Sequence, residues 1–199
     1  MLPSEMTDEL LEEAARTLER TVGEFVAAID SCITTDKWEP TIALVFVTID
    51  SMAWLERSPT RSDVTRTDFI DWVERHMIPD SHLPCTADEL YSARCGMLHS
   101  ITADSRRQRE DRANIRKVYF VRARAGEADA VDALLTVQFA EPRLPVYVNV
   151  DHLVASLKRA LEGFSSHLND DEPKWRLVAS RVHSSYLSRG ILRNPPGPA

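Results

Sequence analysis

Between residues 7 and 31 apolar side chains recur at intervals of three and four, at Leu10, Leu11, Ala14, Leu18, Val22, Phe25, Val26 and Ile29. That spacing predicts an amphipathic helix. The next stretch, PTIALVFVTIDSMAWLER (residues 40–57), carries Asp50 as its only charge between Thr41 and Leu55. Its β-branched residues also suit a strand, but its length favours a helix, and one apolar nearly all round belongs at the centre of a core. In TRTDFIDWVERHMIP, from Thr65, the residues Phe69, Trp72, Val73 and Met77 share one face, and Pro79 ends the pattern. A further helix starts at Thr86, because Thr86 and Glu89 in TADE have the spacing of a reciprocal capping box.

Beyond residue 117 the pattern changes. KVYFVRAR and VYVNV read as short strands from their β-branched and aromatic content, with Pro145 just before the second. Between them EADAVDALLTVQFAE reads as helix, although LLTVQFA also suits a strand. Two more helices follow, HLVASLKRALEGFSSHL and EPKWRLVASRVHSSYL. The expected fold class is mainly α: a helical bundle with a small β element of two short strands in the C-terminal half, paired as a hairpin or through a crossover. Residues 1–190 form one domain and residues 191–199, ending in NPPGPA, a disordered tail.

A chain of 199 residues supports one substantial core. Its three cysteines, Cys32, Cys85 and Cys95, are odd in number and lack CxxC spacing, so neither a disulfide framework nor a zinc ribbon is expected. The acidic, amphipathic start is unlike a signal peptide, and no run approaches the roughly 20 apolar residues of a membrane helix. A soluble, cytoplasmic protein with no membrane partner is expected.

Net charge is −7, yet residues 106–124 (RRQREDRANIRKVYFVRAR) hold eight Lys or Arg against two Asp or Glu, a local +6. Such a run is either a solvated surface or a landing strip for a polyanion. On the second reading Arg106, Arg107, Arg109, Arg112 and Arg116 are the candidate RNA contacts.

On the helix from Thr86, at about 100° per residue, Ala87, Leu90, Arg94, Met97, Leu98 and Ile101 fall in one apolar stripe. Arg94 therefore faces the core, where a guanidinium needs an acid. Asp50, the only acid inside the apolar helix, is the expected partner. The opposite face carries Asp88, Ser92, Cys95, Gly96 and His99, mostly small residues that let another helix approach. Gly96 costs about 1 kcal/mol against Ala inside a helix, so an offsetting role is expected.

Arg94, four intervening residues and His99 form an R-x4-H pattern. LYSARCGMLHS resembles the core of HEPN domains, helical bundles found in bacterial toxins, abortive-infection proteins and CRISPR-associated ribonucleases, and VFVTIDSMAWL resembles the apolar helix that packs against it. Resemblance covers roughly residues 40–105. Arg75 to His82 and Arg176 to His183 also fit a looser R-x6-H spacing; the capped helix, the core-facing arginine and the basic segment single out Arg94 and His99. The residue after the arginine, often Asn, Asp or His in such sequences, is Cys95 here.

The resemblance implies a HEPN-like bundle and metal-independent RNA cleavage, with no cofactor and no metal. His99 would serve as general acid or base and Arg94 would stabilise the phosphorane, with Asp50, Ser92 and Cys95 in support. It also implies a homodimer, RNA as substrate and an antitoxin-type protein partner. Five residues along a helix turn through 500°, so the Arg94 and His99 directions diverge by about 140°, and a second copy would help complete the site across the small face.

Other readings use the same residues. Cys95 and His99, one turn apart, form a conceivable Cys-His dyad, and Cys85, Cys95 and His99 a conceivable metal set lacking a fourth ligand. His76, His82, His152, His167 and His183 read as surface or structural, and Asp68 and Asp71 as a solvated helix face. The alternative function is a non-catalytic helical scaffold that binds a protein or nucleotide. A small face sealed in the core favours the scaffold; His99 opening onto a groove lined by Arg106 to Arg116 favours the nuclease.

Overall fold

A computed structural model of the chain describes residues 2–79, 81, 83–100, 110–111, 114–122 and 145–187; for 99, 100, 186 and 187 it describes the helix path but not the side chains. The helix expected over EADAVDALLTVQFAE, the arginines 106, 107, 109 and 112, His82 and the tail 191–199 lie outside the described residues.

Helix α1 (Asp8–Thr34) starts at Thr7, whose hydroxyl accepts from the amide of Leu10. It ends in a Schellman motif, with Lys37 N–H bonded to Cys32 C=O and Asp36 N–H to Ile33 C=O. Asp36 takes the left-handed position at φ 55°, one that Asn and Asp tolerate better than other side chains. Helix α2 (Trp38–Glu56) follows at once. Its Ile42, Val45, Phe46, Ile49, Met52 and Leu55 are all fully buried, and it touches every other described helix, as a uniformly apolar segment must. Helix α3 (Arg66–Trp72) begins with a capping box between Thr65 and Asp68 and runs straight into a π turn, Val73–Met77. Helix α4 (Ala87–Ser100) opens on the expected box: Thr86 N–H donates to Glu89 at 2.9 Å, and Glu89 N–H to the Thr86 hydroxyl at 3.2 Å.

Strand β1 (Val118–Val121) pairs with β2 (Val146–Asn149) in parallel, Val118 opposite Val146. Parallel pairing requires a crossover connection, which decides between the two expected arrangements. Asn149, at the end of β2, caps α5 (Val150–Asp170) by accepting from the amides of Asp151 and His152. Asp171 does the same for α6 (Glu172–Val182), accepting from Lys174 N–H, and a second π turn, His183–Leu187, follows. The protein is mainly helical, with a small two-strand parallel sheet in its C-terminal half. No described helix is long and apolar enough to cross a membrane.

One expectation fails at α3. Asp68 is only 7% exposed. As the third residue of the helix it accepts from Thr65 N–H and hydroxyl and from Arg61 Nη1, so it closes the helix start instead of facing solvent. Asp71 is exposed, as expected.

The end of α2 is closed from far along the chain. Arg181 on α6, 8% exposed, donates through Nη1 to the carbonyls of Leu55 (2.6 Å) and Arg57 (2.7 Å) and through Nη2 to that of Ser58 (3.3 Å). A guanidinium here supplies the donors that the last carbonyls of α2 lack within their own helix.

Candidate functional site

Arg94 meets Asp50 as expected. Its Nε and Nη2 both donate to Asp50 Oδ2, at 3.0 and 2.6 Å, linking α4 to α2. Both side chains are 20% exposed, so the pair lies at the edge of the core. Burial works against the Arg94 charge, but Asp50 and Cys95 outweigh it and hold the guanidinium above its ordinary pKa. One turn earlier stands Tyr91, which sequence reasoning passed over. Its ring lies 5.9 Å from the Arg94 guanidinium and 6.0 Å from that of Arg66, and it packs edge-on against Phe69 of α3. Arg66 Nη2 in turn binds both oxygens of Asp88. Burial, and then Cys95 beside it, push the Tyr91 hydroxyl up.

Helix α4 runs unbroken through His99 to Ser100, so Arg94 and His99 share one continuous helix. The His99 side chain lies outside the description. The small face divides. Ser92 is 3% exposed and Gly96 is buried, together with Glu89 and Ala93, whereas Cys95 is half-buried. Burial on α4 thus extends well beyond the single apolar stripe, and Ser92 and Gly96 do not present themselves for a contact between copies. The physical reason is that α4 is packed on two sides: α2 and α3 cover Leu90, Tyr91 and Arg94, while Glu89 turns to the segment leading into β1.

That second side is held by Arg116. It forks onto Glu89, with Nε to Oε1 at 2.6 Å and Nη2 to Oε2 at 3.0 Å, and also reaches the Pro84 carbonyl. Of the five candidate RNA-contact arginines, Arg116 is the one described, and the structure places it on an internal acid. Its hydrogen bonds to Glu89 hold the Arg116 guanidinium above its ordinary pKa.

Cys85, 5% exposed, sits under this pair; burial, followed by the Glu89 charge, pushes its thiol up to about 12. The thiolate is the reactive form. At pH 8 a thiol reagent is therefore expected to modify no more than two of the three cysteines in the folded protein, Cys85 reacting only after denaturant is added; fast labelling of all three without denaturant would contradict this burial. Among the described residues no group of three His, Cys, Asp or Glu side chains is placed to hold a metal ion.

A second polar cluster has no counterpart in the sequence reading beyond the assignment of His76 and His167 as surface or structural. Glu56, 5% exposed at the end of α2, accepts from Arg75 Nη1, from His76 Nε2 at 2.9 Å and from Lys174 Nζ at 2.8 Å. Lys174 Nζ also donates to His167 Nε2 at 2.7 Å. The His76 ring packs against both Trp72 and Phe164, whose centroids lie 5.3 Å from it and 6.2 Å from each other, and it lies 5.8 Å from the His167 ring. Burial alone would raise the Glu56 carboxyl; the bonds from His76 and Lys174, with the charges of His76 and Arg75, overcome it and bring the pKa to about 2. No spacing rule finds this group, because its members come from α2, the π turn of α3, α5 and α6.

Comparison of the chain with family models, with curated proteins and with solved structures yields no match.

Proposed function

We propose that the protein is a HEPN-like, metal-independent endoribonuclease. The observation that carries the reading is the anchoring of Arg94. Asp50 takes Nε and Nη2 on a single oxygen and leaves the guanidinium partly exposed, held in one orientation beside Tyr91 on the helix that continues to His99. A planar, permanently charged fork in a fixed position suits the oxygens of a phosphate. In the proposed reaction the ribose 2′-hydroxyl attacks the adjacent phosphorus. His99 moves the proton from the attacking oxygen or to the departing 5′-oxygen, and Arg94 stabilises the extra negative charge of the phosphorane. The products carry a 2′,3′-cyclic phosphate and a 5′-hydroxyl.

Five helical residues separate the two positions by about 7.5 Å along the axis and about 140° around it. A second copy that brings its own Arg94 and His99 to the same scissile bond meets this constraint, and an antitoxin-type partner would act by covering that surface. Three free cysteines suit a reducing cytoplasm.

Purified wild type and His99→Ala incubated with total RNA in excess EDTA provide the test. Cleavage by the wild type alone, leaving cyclic phosphate ends, is the expected result. Equal cleavage by both, or none by either, would leave the second reading, a non-catalytic scaffold. That reading is favoured by one observation: Ser92 and Gly96 are already buried within the chain.

A further inference from the structure

Beside the Glu56 cluster a groove of about 240 Å³ opens between the π turn of α3 and α5, lined by Arg75, His76, Met77, Arg159, Gly163 and His167. We propose that this groove is a binding site for a phosphate group, separate from Arg94 and His99.

Four features converge on it. Two of the six lining residues are arginines, two are histidines and none is acidic, so an anion entering the groove meets donors and no carboxylate. Secondly, several of these donors are held in place before any ligand arrives. Glu56 fixes both Arg75 and His76 from behind, and Lys174 fixes His167. Arg159 is exposed, and its one described hydrogen bond runs from Nη2 to the Ser156 hydroxyl at 3.2 Å, so its charge is not matched by an acid among the described residues. Thirdly, Arg75, His76 and Met77 all belong to the π turn. A π turn is rare and frequently marks a functional site; here it supplies three consecutive residues to the lining of one groove. Fourthly, Gly163 lies inside α5, where glycine costs about 1 kcal/mol against alanine. A Cβ built there would meet nothing within 4 Å, so the groove is open at this wall and a side chain added at 163 would stand in it.

The chemistry narrows the ligand. Arginine and a histidine whose Nε2 already accepts a hydrogen bond from Lys174 do not make a metal site. No Phe, Tyr or Trp lines the groove, and its two imidazoles are already engaged by Glu56 and Lys174. Paired arginine forks with imidazole match a tetrahedral oxyanion, either free phosphate or the terminal group of a phosphomonoester.

The test is a titration of the folded protein with inorganic phosphate, and separately with glycerol 3-phosphate, at ionic strength held constant with sodium chloride, following the imidazole resonances of His76 and His167 by NMR. Arg159→Ala and Gly163→Leu serve as variants; both positions are exposed, and the fold accommodates a side chain at 163. A saturable shift of both rings in the wild type, weakened roughly ten- to hundredfold in each variant, is expected. A stronger response to glycerol 3-phosphate identifies an esterified ligand; an equal or weaker one identifies free phosphate. No saturable shift with either compound, or a shift that persists unchanged in both variants, would overturn the proposal. RNA takes no part in this readout, so it succeeds or fails independently of the ribonuclease reading.

Discussion

Glu56→Ala is expected to lower the unfolding free energy at neutral pH by roughly 3–5 kcal/mol, the range found when one member of a buried ion pair is removed. The carboxylate is nearly inaccessible and receives Arg75, His76 and Lys174 at once. Deleting it removes the acceptor that Arg75, His76 and Lys174 share, and of the three only Lys174 keeps another described side-chain acceptor, at His167. The same group governs acid sensitivity. A carboxyl whose folded pKa is about 2 against an ordinary 4.5 stabilises the fold fully above about pH 4.5. That contribution, about 3 kcal/mol from the size of the shift, is lost as pH falls from there towards 2. Glu56→Gln keeps the shape and removes the titration, so its stability is expected to fall less between pH 5 and pH 3 than that of the wild type. Urea unfolding of the three proteins at both pH values checks this. Parallel losses in wild type and Glu56→Gln would show that acid acts elsewhere.

Arg94→Lys is the second large effect, and it falls on activity. Lysine keeps the charge but offers a single rotating ammonium in place of a planar fork, so it cannot hold Asp50 and a phosphate oxygen in one fixed geometry. Cleavage of RNA in EDTA is expected to drop about 10²–10³-fold, the loss typical of removing one preorganised donor from a charged transition state. Asp50→Asn separates positioning from structure. With both partners 20% exposed, its expected stability cost is only about 1–2 kcal/mol. A released Arg94 should cleave more slowly than that small loss explains. Initial rates measured alongside denaturation midpoints decide between these outcomes; Arg94→Lys cleaving at the wild-type rate would remove Arg94 from the chemistry.

Local rules carried the sequence reading a long way. The capping box of Thr86 and Glu89 is legible because both partners lie within four residues, and α2 is legible as the central helix because it offers water almost nothing. The Asp50–Arg94 pair was also readable, since a core-facing guanidinium needed an acid and the apolar helix contained one. What stayed hidden depends on tertiary assembly. A single apolar stripe cannot reveal that α4 is covered on two sides, because the second cover, Arg116 on Glu89, comes from a separate segment. Asp68 reads as a surface residue until Thr65 and Arg61 are seen to turn back onto it. The Glu56 cluster draws on residues up to 118 positions apart, and the π turn that aims Arg75 and His76 has no periodicity signal in a window tuned to 3.6 residues.

Arg181 has a consequence for the order in which the chain can complete itself. The carbonyls it satisfies at the end of α2 belong to residues made 123 to 126 positions earlier. During synthesis, N-terminal parts of a chain begin to fold before later ones exist. Helices α1, α3 and α4 can gather around α2, but the carbonyls at its end wait for Arg181 until α6 has left the ribosome. The helix that touches every other described helix is thus closed only by a late-made one, and a nascent chain halted before residue 181 lacks the guanidinium that closes it.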